Sequence, residues 1–362
     1  MKKFLSLLIC ALLLFPFAPA AEASYRSEAE AIIAHKTAAA GAGSTQEWIF
    51  SLADTAGTCA EWYVIALARL GYGGFESYAQ ALADYLGEKT VRGTNAQRCA
   101  LGFIAAGCKS EYIEETAKNS IGSQGIMSYV WGLMLLSCGA EGEYAPEALA
   151  IELASMRTAD GGFALSGDSA NPDVTAMALT VLAPYREIAE VSEAIDGALL
   201  CLSAMQTASG GYISYGAENC ESAAQVVVAL CSLGIDPERD ARLTKNGKSA
   251  LDSVRSFALT GGGYAHVAGG EENEMATVQA LHAFAAMHLF ENGESLFGFE
   301  MPAGVPDGFY DVGAEKPNEN GEKAPVNIKN AVCITIIAAC AVGIVITALV
   351  PTKKKEDEKR AG

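Results

Sequence analysis

The sequence predicts an all-α fold between about residue 28 and residue 291. Almost all of this stretch has helical periodicity and is interrupted by glycine, whereas the long alternating runs that predict strands are nearly absent. The predicted helices are of two kinds, which alternate along the chain. One kind carries charges on one side, and the other kind includes helices with no charge at all, as in residues 174–185, 222–235 and 275–290.

This alternation predicts a closed double ring. A helix that is apolar on all sides must be enclosed by protein, and a helix with a single apolar stripe can cover it from outside. Six helices of each kind predict six helical hairpins arranged as an α6/α6 double barrel. The outer helices are expected at residues 27–39, 76–89, 110–119, 145–157, 191–206 and 244–259. The inner helices are expected at residues 59–71, 94–107, 123–139, 172–185, 221–234 and 275–290.

A repeated glycine–aromatic segment supports this arrangement. "ADGGFALSGDSANPDVTAMALTVL", "ASGGYISYGAENCESAAQVVVAL" and "TGGGYAHVAGGEENEMATVQALHAF" superimpose on one another, and their aromatic residues Phe163, Tyr212 and Tyr264 are 49 and 52 residues apart. A period of about 50 residues predicts one helical hairpin per repeat.

These repeats resemble those of squalene cyclases and protein prenyltransferase β-subunits, the α/α-toroid superfamily. "QTASGGY" is similar to the cyclases' Q-x-x-x-G-x-W repeat with Tyr212 in place of Trp, and "RTADGGF" keeps the spacing but has Arg157 and Phe163. "AEWYVIALARLG" resembles the first inner helix of toroid-domain proteins that Gram-positive bacteria export. The resemblance covers residues 28–291 and implies a toroid fold rather than a particular reaction.

The short motifs of the superfamily's enzymes are missing from this sequence. Squalene-type cyclases protonate their substrate with D-x-D-D, and prenyltransferases hold zinc with an Asp-x-Cys pair and a distant histidine, but the chain contains neither pattern. Complement-like toroids carry a Cys-Gly-Glu-Gln thioester, and here Trp62 stands where the reactive glutamine is required. No zinc site or other cofactor is therefore expected.

The two ends of the chain predict export and membrane anchoring. Two lysines, an apolar run and "APAAEAS" predict a signal peptide over residues 1–23. Residues 292–330 are rich in Gly, Pro, Glu, Asn and Asp and predict a flexible stalk. Residues 331–350 carry no charge and are long enough to cross a bilayer. The basic tail, residues 351–362, predicts a cytoplasmic C-terminus, with the globular part outside the cell membrane.

The net charge restricts the classes of partner, and the positions of the cysteines indicate their oxidation state. Removing two positive charges with the leader and two with the tail takes the formal net charge from -18 to about -22. Such a negative surface argues against nucleic acid as a partner. Seven of the ten cysteines lie outside the predicted leader and membrane helix, mostly among small apolar residues of helices. We expect buried free thiols rather than a disulfide framework.

Candidate ligand-binding residues lie on the predicted inner helices and in the loops before them. They are Trp62, Tyr129, Trp131, Tyr215, Glu221 and His266. Acids at the inner-helix starts have a structural interpretation as well. "NPD", "NCE" and "NE" each place an asparagine cap before an acid in the first turn, as expected for Asn171, Asn219 and Asn273. The aromatic residues can equally be core residues, and the catalytic residues, if there are any, are not identified.

Three functions remain open from the sequence. The leading hypothesis is a membrane-anchored toroid that binds a small molecule, an isoprenoid or a glycan in its central cavity, without the superfamily's known catalytic groups. The alternative is an enzyme of the terpenoid-cyclase, prenyltransferase-like or polysaccharide-cleaving type with unrecognised catalytic residues. The third is a structural or adhesive surface module. Fold analogy alone does not choose among them.

Overall fold

A computed structural model describes residues 24–312, and this part of the chain is mostly helical, as predicted. The predicted signal peptide, the predicted membrane helix, the basic tail and the stalk beyond residue 312 lie outside the described residues. Within residues 24–312, no helix has both the length and the apolar character needed to cross a membrane. The described residues divide into two compact units, comprising residues 24–45 with 147–298, and residues 46–146 with 299–312.

The first unit holds the helices at both ends of the helical region. They are α1 (Tyr25–Ala39), α8 (Pro146–Ser155), α9 (Pro172–Leu182), α10 (Ala189–Met205), α11 (Cys220–Ser232), α12 (Ala250–Ser256) and α13 (Glu274–Glu291). Helix α11 packs between α9 and α13, and α1 packs on the other side of α13. Residues 222–231 of α11 and 276–287 of α13 are all buried, so these two uncharged stretches are enclosed as expected.

The second unit holds the helices of the first repeats. They are α2 (Thr45–Ser51), α3 (Ala60–Arg69), α4 (Glu76–Glu88), α5 (Gly93–Ala105), α6 (Glu111–Asn119) and α7 (Gly125–Ser137), and a 3₁₀ turn (Leu52–Thr55) follows α2. Helix α5 packs against both α3 and α7, and α6 lies alongside α5. Predicted inner helices therefore pack on one another here too. Helix α2 was not predicted from the sequence.

Two short hairpins interrupt the helical pattern of the first unit. Strands β1 (Ile213–Ser214) and β2 (Ala217–Glu218) form one, and β3 (Thr244–Lys245) and β4 (Lys248–Ser249) form the other. The prediction of an outer helix over residues 244–259 is wrong for its first six residues, because α12 begins at Ala250. The Asn246-Gly247 pair in this stretch favours a two-residue hairpin turn over a helix.

The glycine–aromatic segment has the same backbone structure in all three repeats. A backbone N–H donates to the carbonyl oxygen four residues later in each, and the three distances are 2.9, 2.9 and 2.8 Å. The donors are Thr158, Thr207 and Leu259, and the acceptors are Gly162, Gly211 and Gly263. The aromatic residues Phe163, Tyr212 and Tyr264 are buried. The repeat seen in the sequence is thus a repeat of structure within the first unit.

The predicted helix caps are confirmed. The side-chain oxygens of Asn171, Asn219 and Asn273 accept backbone N–H groups in the first turns of α9, α11 and α13. Pro172 occupies the first helical position of α9, where its missing N–H removes no helical hydrogen bond. Since these residues fix where each inner helix begins, they also fix where the acids of the first turns lie.

The seven cysteines of the described residues are free thiols, as expected. Six are buried, and Cys59 is half-buried. Burial raises the pKa of Cys108 to about 11 and that of Cys138 to about 12, so both remain protonated thiols at neutral pH. They act as small apolar core residues.

Residues 299–312 of the predicted stalk belong to the second unit and pack against its helices. The Phe309 ring stacks edge-on against Phe103, with ring centroids 5.8 Å apart. The Asp311 carboxylate accepts hydrogen bonds from the Ser110 hydroxyl and, at 3.1 Å, from the Glu111 N–H at the start of α6. These contacts were not predicted from the sequence.

Candidate functional site

The hairpin β1–β2 places two neighbouring residues in contrasting positions. The Ser214 side chain is buried and faces the protein, whereas Tyr215 is 61% exposed at the turn. Tyr215 and Gly216 have φ angles of 52° and 91°, which are the positive values of a type I′ turn. Asn246 and Gly247 have the same signs, 52° and 70°, in the second hairpin. Tyrosine is unusual at this position, because a residue with a bulky side chain adopts a positive backbone φ only with strain.

Asp173, in the first turn of α9, binds the hairpin. The Ser214 hydroxyl donates to Asp173 Oδ2 at 2.8 Å, and Asn171 Nδ2 donates to the Ser214 hydroxyl at 3.0 Å. The cap residue of α9 and its first-turn acid therefore both hold Ser214. This contact fixes the hairpin next to the start of α9.

Glu221, in the first turn of α11, makes the corresponding contact with the next loop. His266 Nδ1 lies 2.8 Å from Glu221 Oε2 and 3.0 Å from Oε1. The Cys220 N–H donates to the His266 carbonyl oxygen at 3.1 Å, which holds the loop against the helix start. The Glu221 side chain is 18% exposed and that of His266 is 52% exposed, so the imidazole faces solvent.

The two contacts use the same positions of successive repeats. Ser214 and His266 each stand two residues after the buried aromatic residue of their repeat. Asp173 and Glu221 each stand two residues after the asparagine cap. Each acid therefore binds the loop of the following repeat, and the polar side chains of three repeats converge. We call Asp173, Ser214, Tyr215, Glu221, Ser222 and His266 the Asp173 cluster.

Burial dominates the electrostatics of the Asp173 cluster. Desolvation raises the pKa of Asp173, against the lowering effects of hydrogen bonds from Ser222 and Ser214 and of the charge of His266. Desolvation also raises the pKa of Glu221, which His266 lowers and the charge of Asp173 raises further. Burial and the Asp173 charge raise the pKa of Tyr215. The acids and the tyrosine thus lie close enough for their charges to interact.

Two buried atoms of the Asp173 cluster lack a well-formed hydrogen bond. Asp173 Oδ1 and the Ser222 hydroxyl are each inaccessible to solvent and have no partner of normal geometry. The two side chains are neighbours, since Ser222 lowers the pKa of Asp173, but they are not aligned as a good donor–acceptor pair. The two groups are therefore each other's neighbours at the buried end of the Asp173 cluster.

The aromatic candidates of the second unit form a separate group. The rings of Trp62, near the start of α3, and Trp131, on α7, lie 5.5 Å apart between centroids and are tilted by 49°. Both are half-buried, and so is Tyr129, whose hydroxyl lies close to Gly122. The structure therefore brings Trp62 and Trp131 together, while Tyr129 lies against a glycine loop.

Glu61, next to Trp62, has a structural role. It is completely buried, and its Oε1 accepts the Gly57 N–H at 2.6 Å and the Tyr78 hydroxyl at 3.1 Å. Its Oε2 lies 3.3 Å from Nε of Arg98, whose Nη2 donates to the Gly57 carbonyl oxygen. Burial raises the pKa of Glu61, and the charge of Arg98 opposes this. No ligand can reach this carboxylate without opening the core.

An open cleft of about 430 Å³ lies elsewhere in the second unit, at the C-terminal ends of α3 and α5. Arg69, Tyr72, Glu76 and Phe299 line it together with small residues. The Arg69 guanidinium lies 5.6 Å from the centre of the Phe299 ring. None of the predicted site residues lines this cleft.

No protein-family model matches the chain, and no curated protein is significantly similar to it. Within residues 24–312, no three His, Cys, Asp or Glu side chains lie in an arrangement that could hold a metal ion.

The predicted site residues fall into two groups. Tyr215, Glu221 and His266 come together in the first unit, and Trp62 contacts Trp131 in the second. Sequence reasoning favoured a helix-capping role for Asp173 over a catalytic one, and missed Ser214 and Ser222. The repeat alignment contained the missing signal, because Asp173 and Ser214 occupy the same repeat positions as Glu221 and His266.

Proposed function

We propose that the chain binds an organic ligand at the Asp173 cluster, on a toroid domain that is exported and anchored in the membrane. The observation that carries the proposal is the convergence of polar side chains from three repeats on Asp173 and Glu221, two acids whose pKa burial raises. Ionisable groups with perturbed pKa values cluster at functional sites. Tyr215, exposed beside them in a strained conformation, supports the same interpretation.

The toroid part of the proposal is supported by the repeats. Three segments share one turn, one asparagine cap and one pattern of contact between neighbouring repeats. Gln206, the glutamine of "QTASGGY", is buried and donates to the Gly210 carbonyl oxygen at 2.9 Å, which gives this motif a structural role. Six hairpins of this kind would close a double barrel without capping repeats. The inner-helix starts would then surround a concave site of the kind that small ligands occupy.

The membrane anchor can be tested by truncation. Deleting residues 329–362 removes the uncharged run at 331–350 and its basic tail, so the shortened protein is expected to move from the membrane fraction to the culture medium. Fractionation and immunoblotting of the exported protein measure this. A matched deletion of residues 351–362 alone should leave the protein in the membrane. Equal membrane association of all three proteins would contradict the anchor.

The binding site can be tested by ligand retention. Full-length protein is incubated with cell extract, purified in detergent and weighed by native mass spectrometry. We expect a bound mass on the wild-type protein that is lost in Glu221→Gln, because the amide cannot keep the ionic contact with His266. The exposed Asp168→Asn serves as a charge-matched control from a nearby loop. Equal retention by the wild type and both variants would place the ligand elsewhere.

One observation favours an enzyme as the second candidate. Asp173 is a carboxyl with a raised pKa, and Glu221 is hydrogen-bonded to a solvent-facing imidazole. A carboxyl with a raised pKa and a carboxyl paired with an imidazole can supply a proton donor and a proton acceptor. Release of a product whose mass differs from that of the bound compound, on incubation with the wild-type protein but not with Asp173→Asn, would favour this candidate.

A further inference from the structure

Residues 299–312 cross the second unit as an irregular segment with no helix or strand. We call this segment the strap. None of its residues is fully buried, and residues 303–305, 307 and 308 are exposed. The strap therefore depends on a few separate contacts rather than on a core of its own. Segments with few buried contacts open at a lower free energy than the helices beneath them.

Asp311 holds the C-terminal end of the strap. Its carboxylate accepts hydrogen bonds from the Ser110 hydroxyl and, at 3.1 Å, from the Glu111 N–H. The Ser110 oxygen in turn accepts the Tyr112 N–H at 3.2 Å, so serine and aspartate together cap α6. A carboxylate at this end of a helix also complements the helix dipole. Asp311 thus supplies from the strap part of the cap that α6 requires.

The rest of the strap crosses the C-terminal ends of three helices. Phe299 lies over the guanidinium of Arg69, the last residue of α3, and forms one side of the open cleft. The Lys109 N–H, just after α5, donates to the Gly304 carbonyl oxygen at 3.0 Å. After α7 the strap passes so close to Gly139 that an added Cβ would lie 3.5 Å from that of Met301.

Two buried thiols lie where the strap crosses these helix ends. Cys108 directly precedes Lys109 and is completely buried, and Cys138 directly precedes Gly139 and is 3% exposed. The Asp311 carboxylate is near enough for its charge, with burial and the charge of Glu76, to raise the pKa of Cys108. The Phe299 backbone forms a hydrogen bond with the Cys138 thiol. Each end of the strap therefore lies beside one thiol.

We propose that the strap is a releasable lid, which leaves the second unit without unfolding it and uncovers Cys108, Cys138 and the Phe299 side of the cleft. Release breaks the contacts of the strap, whereas α5 keeps its packing against α3 and α7. The chain continues beyond the second unit from Asp311, so a pull on the C-terminal part of the protein reaches this contact first. The inference is independent of the Asp173 cluster, which lies in the first unit.

Thiol labelling of the native protein measures release. The full-length chain in detergent is treated with N-ethylmaleimide for increasing times, and each cysteine is quantified by peptide mass spectrometry against the protein labelled in denaturant. We expect Cys108 and Cys138 to react at least about tenfold faster than Cys99, Cys220 and Cys231. The last three are buried in α5 and α11, so they report unfolding of the units.

Substitution of Asp311 tests the contact at the far end. Asp311→Ala is expected to raise the labelling rate of Cys108 about fivefold to tenfold, the effect of losing one helix cap. Asp311→Asn keeps an acceptor for the Ser110 hydroxyl and the Glu111 N–H, so its rate should lie between those of the wild type and the alanine variant. The exposed Asp307→Ala, on the same strap, is the matched control and should leave the rate unchanged.

Substitution of Phe309 provides a second, independent test. Phe309→Ala removes the ring that stacks on Phe103 and is expected to raise the labelling rate of Cys108 at least about tenfold. Val305→Ala shortens an apolar side chain of the strap that is 45% exposed, and should have no effect. The labelling of Cys99 shows whether either protein has lost its fold.

Three results would overturn the inference. In the first, Cys108 and Cys138 of the wild-type protein react no faster than Cys99. In the second, neither Asp311→Ala nor Phe309→Ala changes the rate at Cys108. In the third, these variants raise the rates of all the buried thiols of the second unit together, which would make the strap a fixed part of that unit rather than a lid.

Discussion

Replacing Glu61 by alanine is expected to lower the free energy of unfolding by about 3–5 kcal/mol. The substitution removes the carboxylate that lies 3.3 Å from the Arg98 guanidinium, whose side chain is only 12% exposed. It also leaves the Gly57 N–H and the Tyr78 hydroxyl without their acceptor. A buried cation without a counter-charge accounts for most of the loss. Urea unfolding followed by circular dichroism at 222 nm, a wavelength typical of helix signal, measures it.

Three further variants test this explanation. Glu61→Gln keeps an acceptor for the Gly57 N–H and should lose less stability than the alanine variant. The double variant Glu61→Ala, Arg98→Met removes both charges and should recover part of the loss, since well-packed apolar residues often replace a buried ion pair without penalty. Glu88→Ala, at an exposed position of α4, is the matched control. A Glu61→Ala protein as stable as Glu88→Ala would show that the ion pair contributes nothing.

Much of the fold could be predicted because the signals are local. The alternation of charged and uncharged helices, the asparagine caps and the glycine–aromatic turns each depend on a few consecutive residues, and the structure has them where the sequence placed them. The error at residues 244–249 has a local cause as well. The Asn246-Gly247 pair favours a hairpin turn and interrupts the helical pattern. Closure of the six hairpins into a toroid remains a prediction.

The Asp173 cluster could be predicted only in part because its contacts are between repeats. Tyr215, Glu221 and His266 were singled out by residue type, but nothing in "NPD" shows that Asp173 reaches a serine 41 residues later. Burial of that carboxyl depends on the hairpin that covers it. A capping interpretation and a site interpretation place the acid at the same position, and only the side-chain contacts separate them.

Glu61 shows the same limit in the second unit. An acid in the first turn of a helix is ordinarily a solvent-facing complement to the helix dipole. Glu61 is completely buried instead, because Arg98, on α5, approaches it across the unit and its carboxylate reaches back to Gly57. The partner lies 37 residues away in the sequence, and no local pattern announces it.

Stability is expected to rise as the pH is lowered from neutrality toward the ordinary pKa of a carboxyl, and Asp173→Asn is expected to reduce that rise. The folded-state pKa of Asp173 is raised above the ordinary value of 3.8, chiefly by burial. Between pH 3.8 and the raised pKa of the folded state, Asp173 is more protonated in the native state than in the unfolded state. Stability therefore falls as the pH rises through this interval. The raised pKa values of Glu61 and Glu221 act in the same direction. The thermal midpoint as a function of pH measures the effect.

The choice of pH range isolates these acids from the others. Asp160, Asp240 and Asp252 have lowered pKa values, so the stability they contribute is lost only at pH values near or below 3.8. Among the groups that face Asp173, Glu221 also has a raised pKa. Ser214 and Tyr215 stay uncharged over this pH range. Asp168→Asn removes an exposed charge from the loop that precedes α9 and should leave the slope unchanged. If Asp173→Asn and Asp168→Asn give the same slope as the wild type, Asp173 is solvated in the native state and the Asp173 cluster is not the desolvated site that ligand binding requires.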